Sequence, residues 1–177
     1  RRCYLHALLD GRDVGVQSAL DYTEPLEQIF KELKSLRADL DYAFASGGGR
    51  EAITMDRDNN WDRIELAYNN MVKANLKTVE DINEYIQDAY ASDISDEFIK
   101  PAAIAGYKGI IDNDSIIFTN FRSDRARQIS NALFNDNFDA FLRQKNISFI
   151  SKLTMTEYSE ELSKITPSLF QVETPKN

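Results

Sequence analysis

Three apolar, strand-like runs in this chain break off into short motifs that carry arginine. Tyr4 to Leu9 stops at Asp10-Gly11-Arg12-Asp13. Tyr42 to Ala45 stops at Ser46 and Gly47-Gly48-Gly49-Arg50, with Met55-Asp56-Arg57 close behind. Ser115 to Phe121 runs into Asn120-Phe121-Arg122-Ser123-Asp124-Arg125, so the motifs together hold five of the eleven arginines. Helical periodicity fills the spaces between. Ser18 to Leu40 places Leu26, Ile29, Phe30, Leu33 and Leu36 on one face, and Pro25 suits a first turn, which puts the helix start near Thr23 or Glu24. Asn60 to Lys73 is a second helix, with Asp58 or Asn59 as its cap and Trp61 in the core. Thr78 to Ala91 is a third, with Thr78 as N-cap and Asp81 at N3, and Ser123 to Phe134 a fourth, capped by Ser123. Pro101 to Ala105 and Ile147 to Leu153 complete the strands, and 154–177 has the composition of a connecting tail. Strands alternating with helices predict an α/β domain of three layers over 1–153: a mostly parallel sheet flanked by helices on both faces. Ligands of such sheets bind outside the carboxyl ends of the strands, where Arg12, Arg50 and Arg122 emerge.

Arginine offers five fixed donors and a permanent charge, which suits two-pronged recognition of carboxylate or phosphate. In a chain of net charge -8, such clustering predicts a pocket for a small, multiply charged anion. Arg122 and Arg125 at a helix start oppose the helix dipole and repel each other, and a bound anion reverses both penalties. The bland alternative pairs them with Asp124 and nearby acids at the surface, with Arg127 an ordinary solvated residue. The glycine run suits a close backbone approach to a ligand, or equally a plain loop. Asp13 orients Arg12 or accepts a substrate hydroxyl, or else forms a solvated pair in a turn.

Other chemistries find little support. The pI near 4.7 argues against nucleic acid, and no apolar run approaches the roughly 20 residues that cross a membrane. A lone cysteine, Cys3, forms no internal disulfide, which favours a reducing compartment and a cytoplasmic location. His6, inside an apolar run, reads as a core histidine. The pairs Asp56/Asp58 and Asp112/Asp114 lack the spacing of a calcium loop. The opening Arg1-Arg2-Cys3-Tyr4 reads as the middle of a protein.

In order, the motifs resemble the cofactor-independent (2,3-bisphosphoglycerate-independent) phosphoglycerate mutases. The likeness lies in His6-Ala7-Leu8-Leu9-Asp10-Gly11-Arg12-Asp13-Val14, Ala45 to Arg50, Thr54 to Trp61, Asn120 to Arg125 and Thr156-Glu157-Tyr158. Many members carry Ser-Gly-Arg-Tyr-Tyr-Ala before Met-Asp-Arg. Here Gly49 to Thr54 is one residue longer and is similar to the triple-glycine variant.

The resemblance implies an isomerase whose inserted substrate-binding domain is this chain. A phosphatase domain outside it would carry a serine nucleophile and two divalent metal ions, manganese commonly, with no metal in this fragment. It implies Arg12, Asp13, Arg50, Arg57, Arg122 and Arg125 as the set that holds 3-phosphoglycerate or 2-phosphoglycerate. The arginines would take carboxylate and phosphate, and Asp13 the glycerate hydroxyl. The partners expected are those substrates and the phosphatase domain of the same chain, in a monomer. Two other readings stay open: a stand-alone anion-binding module, and the insert of a different alkaline-phosphatase-like phosphomutase.

Overall fold

The computed structural model describes residues 1–51 and 58–171. Strand β1 (Arg2–Leu9) runs parallel to β2 (Asp41–Gly49), and between them the chain crosses over through α1 (Leu20–Leu36). After α2 (Trp61–Lys73), β3 (Lys77–Val79), α3 (Ile82–Ala91) and a 3-10 turn at Asp96–Phe98, β4 (Ala102–Ile104) slots between β2 and β3. The resulting order is β1-β2-β4-β3, antiparallel only at β2–β4. A second, fully parallel sheet follows: β5 (Ser115–Phe118), β6 (Ser151–Thr156) and β7 (Ser168–Phe170). Between β5 and β6 lies α4 (Ser123–Phe134), and between β6 and β7 the short α5 (Glu160–Ser163). The strands thus divide between two sheets where the sequence predicted one, while the α/β class and the parallel bias hold.

Helices cover β1 on both sides. Ala7 and Leu9 face a core with Phe44, Ile82, Ile86, Ala89 and Ile99, against α1 and α3. Leu8 points the other way, into a larger core of Ile64, Tyr68, Met71 and Val72 from α2 with Ile129 and Leu133 from α4. No helix among the described residues is long and apolar enough to cross a membrane.

Four local differences from the sequence reading have physical causes. Helix α1 begins well before Pro25, which lies inside it, because Asp96 caps it from afar. Asp96 Oδ2 accepts the N–H of Ser18 and of Ala19, each at 2.9 Å, satisfying donors that a helix start leaves orphaned. Strand β2 runs on through the three glycines, pairing Ala7, Leu8 and Leu9 with Gly47, Gly48 and Gly49. A Cβ on Gly49 would lie 2.2 Å from the carbonyl oxygens of Asp96 and Glu97, and one on Gly47 would lie 2.6 Å from Ile82 Cδ1. The glycines therefore admit neighbouring chain rather than form a ligand loop. Third, Asp81 and not Thr78 caps α3: its carboxylate accepts from Asn83 N at 2.7 Å and Glu84 N at 3.0 Å, while Thr78 lies in β3.

Fourth, residues 154–171 of the segment expected as a tail are built into the fold. The boundary at 153 falls inside β6, and Tyr158 and Leu162 are each 2% exposed in the larger core. The Tyr158 hydroxyl donates to the carbonyls of Phe118 at 3.1 Å and Asn120 at 2.5 Å, clasping the end of β5. Burial pushes that hydroxyl up to about 12, so it remains a donor.

Gly49→Ala should lower the unfolding free energy of the chain by about 1–3 kcal/mol or more, the range for overpacking. Gly15→Ala, whose Cβ would meet only the Ser18 side chain, at 3.3 Å from its Cβ and 3.6 Å from its Oγ, should cost less. Urea unfolding of the two variants compares them, and equal midpoints would remove the close-approach explanation.

Candidate anion-binding site

Arg50 is placed by the strand beneath it. Its N–H donates to Leu9 O at 2.8 Å, one step beyond the last pair of the β1–β2 ladder. Its side chain is only 5% exposed, and Nη1 donates both to Asp10 and, at 2.7 Å, to Asp13 Oδ2. The same Asp13 oxygen accepts from Arg122 Nη1. Two guanidinium groups from distant segments thus share one carboxylate at the exits of β1, β2 and β5.

The hydrogen bond from Arg50, with the charges of Arg50 and Arg122 added, holds the Asp13 carboxyl below its ordinary 3.8. Burial opposes the charge of Arg50, but its bonds to Asp13 and Asp10 outweigh that loss and leave its pKa raised. Arg122 itself is the N-cap of α4, in extended conformation and without a side-chain cap bond, so Ser123 becomes the first helical residue. A cation there opposes the dipole by about 0.3–1 kcal/mol, and the Asp13 carboxylate supplies the compensating negative charge.

The remaining predicted residues lie around this centre. Arg12, 62% exposed, turns to Glu97 Oε1 at 3.2 Å. Arg125 is the third residue of α4, in its first turn. Arg57 lies outside the described residues. The structure therefore joins Asp13, Arg50 and Arg122 directly and sets Arg12 beside them on a separate carboxylate. Arg127 donates Nε–H to the Tyr158 carbonyl at 3.0 Å, a structural tie rather than simple solvation.

Three acids escaped the sequence reading. Asp10 was legible in principle, a carboxylate two positions before Arg12. Asp96 and Glu97 carried no local signal, since what they hold is far away in sequence. Asp96 is 1% exposed, and the Tyr90 hydroxyl donates to its Oδ1. Burial first, then that bond, pushes the Tyr90 hydroxyl above its ordinary range and keeps it protonated.

His6 is bound into a polar chain away from the arginines. Its Nδ1 lies 2.7 Å from Ser46 Oγ and its Nε2 lies 3.4 Å from the Tyr107 hydroxyl, which donates to Met71 O at 2.7 Å. One consistent assignment has Ser46 donating to Nδ1 and Nε2–H donating to Tyr107, with the ring neutral. Burial lowers the His6 pKa from 6.5 to about 4. Among the described residues no group of three or more His, Cys, Asp or Glu is arranged to hold a metal ion.

Comparison with known proteins adds context to this geometry. Residues 1–160 match the family described as BPG-independent PGAM N-terminus. The chain is 41% identical over 177 residues to a protein of Sulfurimonas denitrificans named 2,3-bisphosphoglycerate-independent phosphoglycerate mutase, covering 100% of this chain and 33% of that one. A protein of the same name from Francisella tularensis subsp. novicida is 42% identical over 166 residues, covering 92% and 31%. The crystal structure of Leishmania mexicana phosphoglycerate mutase at low cobalt concentration superposes with a TM-score of 0.81 at 28% identity, covering 94% of this chain and 32% of that one. The chain spans about a third of the length of the curated relatives it matches.

Two titrations test the site. Because its folded pKa is depressed, Asp13 stabilises the fold above 3.8, and that contribution disappears as pH falls through the lowered value. Asp13→Asn should therefore melt below wild type at pH 7, with the gap closing as pH falls below 3.8; a gap independent of pH would contradict the pairing. His6 is the single histidine, so its ring protons are unambiguous by NMR, and they should titrate near about 4 rather than 6.5.

Proposed function

This chain belongs to the BPG-independent PGAM N-terminus family, and from that premise we propose that it is the substrate-holding part of a phosphoglycerate mutase. The reaction is the interconversion of 3-phosphoglycerate and 2-phosphoglycerate, a glycolytic step in the cytoplasm. The observation that carries the reading is the shared carboxylate: Asp13 bridges Arg50 and Arg122, with Arg12 alongside on Glu97. Arg12, Arg50 and Arg122 balance Asp10, Asp13 and Glu97, so without ligand the cluster is close to neutral. An incoming phosphoglycerate, with a carboxylate at one end and a phosphate at the other, exchanges with Asp13 on Arg50 or Arg122 and meets the N–H donors of Arg12 that Glu97 does not engage.

In this reading Asp13, once relieved of one arginine, is placed to accept a hydrogen bond from the glycerate hydroxyl. Arg57 and Arg125 complete the set that clamps the two anionic groups. The clamp retains the glycerate while the phosphoryl group leaves and returns, which matters because escape would turn the mutase into a phosphatase. The serine that carries the phosphoryl group, and the divalent ions, manganese among them, belong to polypeptide outside this chain in a monomeric protein.

Conversion of 3-phosphoglycerate by the full-length protein is the direct test. Arg50→Ala and Arg122→Ala each remove charge-assisted hydrogen bonds worth about 1.5–3 kcal/mol. At about 1.4 kcal/mol per decade, kcat/KM should fall roughly 10- to 100-fold. Arg127→Ala, which loses a tie to a backbone carbonyl, should stay near wild type. The 177-residue chain by itself should show no turnover. Equal losses in all three variants would dismantle the clamp, and turnover by the isolated chain would refute the division of labour.

A further inference from the structure

The Asp96–Phe98 turn touches both arginine loops, although nothing in its sequence marks it as part of a site. On the Arg12 side, Gly11 has φ 65°, and a Cβ there would meet Asp96 Cβ at 2.7 Å and Glu97 N at 2.8 Å. On the Arg50 side, Gly49 N–H donates to Ile99 O at 2.8 Å and Glu51 N–H to Glu97 O at 3.1 Å. The turn is seated firmly, since Asp96 is held by Ser18 N, Ala19 N and the Tyr90 hydroxyl. From that seat the Glu97 carboxylate, 14% exposed, meets the far more exposed Arg12. A largely buried acceptor thus meets an exposed donor. The bond engages Nη1, one arm of a fork that carries five N–H donors.

We infer, resting on the reading of this site as a phosphoglycerate clamp, that Glu97 is a positioning residue. It directs the Arg12 guanidinium toward the anion that Arg12 shares with Arg50 and Arg122. Glu97 itself does not touch that anion. An unanchored exposed arginine samples many rotamers, and binding must then select one of them. Anchoring one arm on Glu97 makes that selection in advance. Because the same turn also holds the Arg50 loop through Gly49 and Glu51, it sets the spacing between the two arginines.

Steady-state kinetics of the full-length protein with 3-phosphoglycerate test this. Glu97→Asp keeps the charge but is one methylene too short to reach Arg12. It should raise KM about 10-fold with little change in kcat, as expected when binding common to ground and transition states is lost. Glu97→Gln keeps the length and an acceptor oxygen and should recover most of that loss. A residue needed only for folding would tolerate both alike, and thermal melts of the two variants check that they fold. In an Arg12→Ala background, Glu97→Asp should add nothing further. If Glu97→Asp leaves KM at the wild-type value while Arg12→Ala raises it, the positioning role is overturned and the clamp survives. An equal rise from Glu97→Asp with and without Arg12 overturns it too. If Arg12→Ala leaves KM unchanged, the clamp reading fails at that residue and the role of Glu97 falls with it.

Discussion

A guanidinium cannot shed its charge, so burying one obliges a fold to bring carboxylates to it. Arg50, 5% exposed, imposes that obligation here. Asp10 and Asp13 answer it from the end of β1, and Arg122 joins on Asp13 from the start of α4. One buried cation therefore fixes where three chain segments must end relative to one another. It also ties the β5–α4 unit of the second sheet to the end of the first, with no strand pairing required between them.

The large-scale organisation is carried by signals that act locally. Apolar runs and helical periods are properties of neighbouring residues, which is why β1, α2, β4 and α4 fall where periodicity places them. Features that depend on distant partners were not legible in the same way. Pro25 looked like a helix start because prolines usually sit there, yet Asp96, 77 positions from Ala19, supplies an earlier cap. Thr78 looked like a cap because a threonine three residues before an acid fits the pattern, but pairing with β4 draws it into a strand. The single predicted sheet became two because strand signals say nothing about which edges pair.

The site divides along the same line. Asp13, Arg50 and Arg122 could be named from motif chemistry at strand exits, and they meet. Their counter-ions could be named only in part, because Glu97 approaches Arg12 through tertiary packing. Arg50 was expected after a glycine turn or loop, and it follows directly on the end of strand β2 instead. The end of a strand is a stiffer mount than a loop, which suits the ligand-holding role proposed for Arg50.

The glycines of β2 bear on how sequences of this kind can drift. Gly49 excludes a side chain because the carbonyls of Asp96 and Glu97 occupy the place its Cβ would take. The strand and the turn are therefore linked in descent. A shift of the turn that opened room at Gly49 would license alanine there and, in the same step, move the acceptor that Arg12 uses. Substitutions on one side thus become tolerable only in company with substitutions on the other, an epistasis written by backbone contact. A change at Gly49 would therefore report on the geometry of the neighbouring turn before it reported on anything bound nearby.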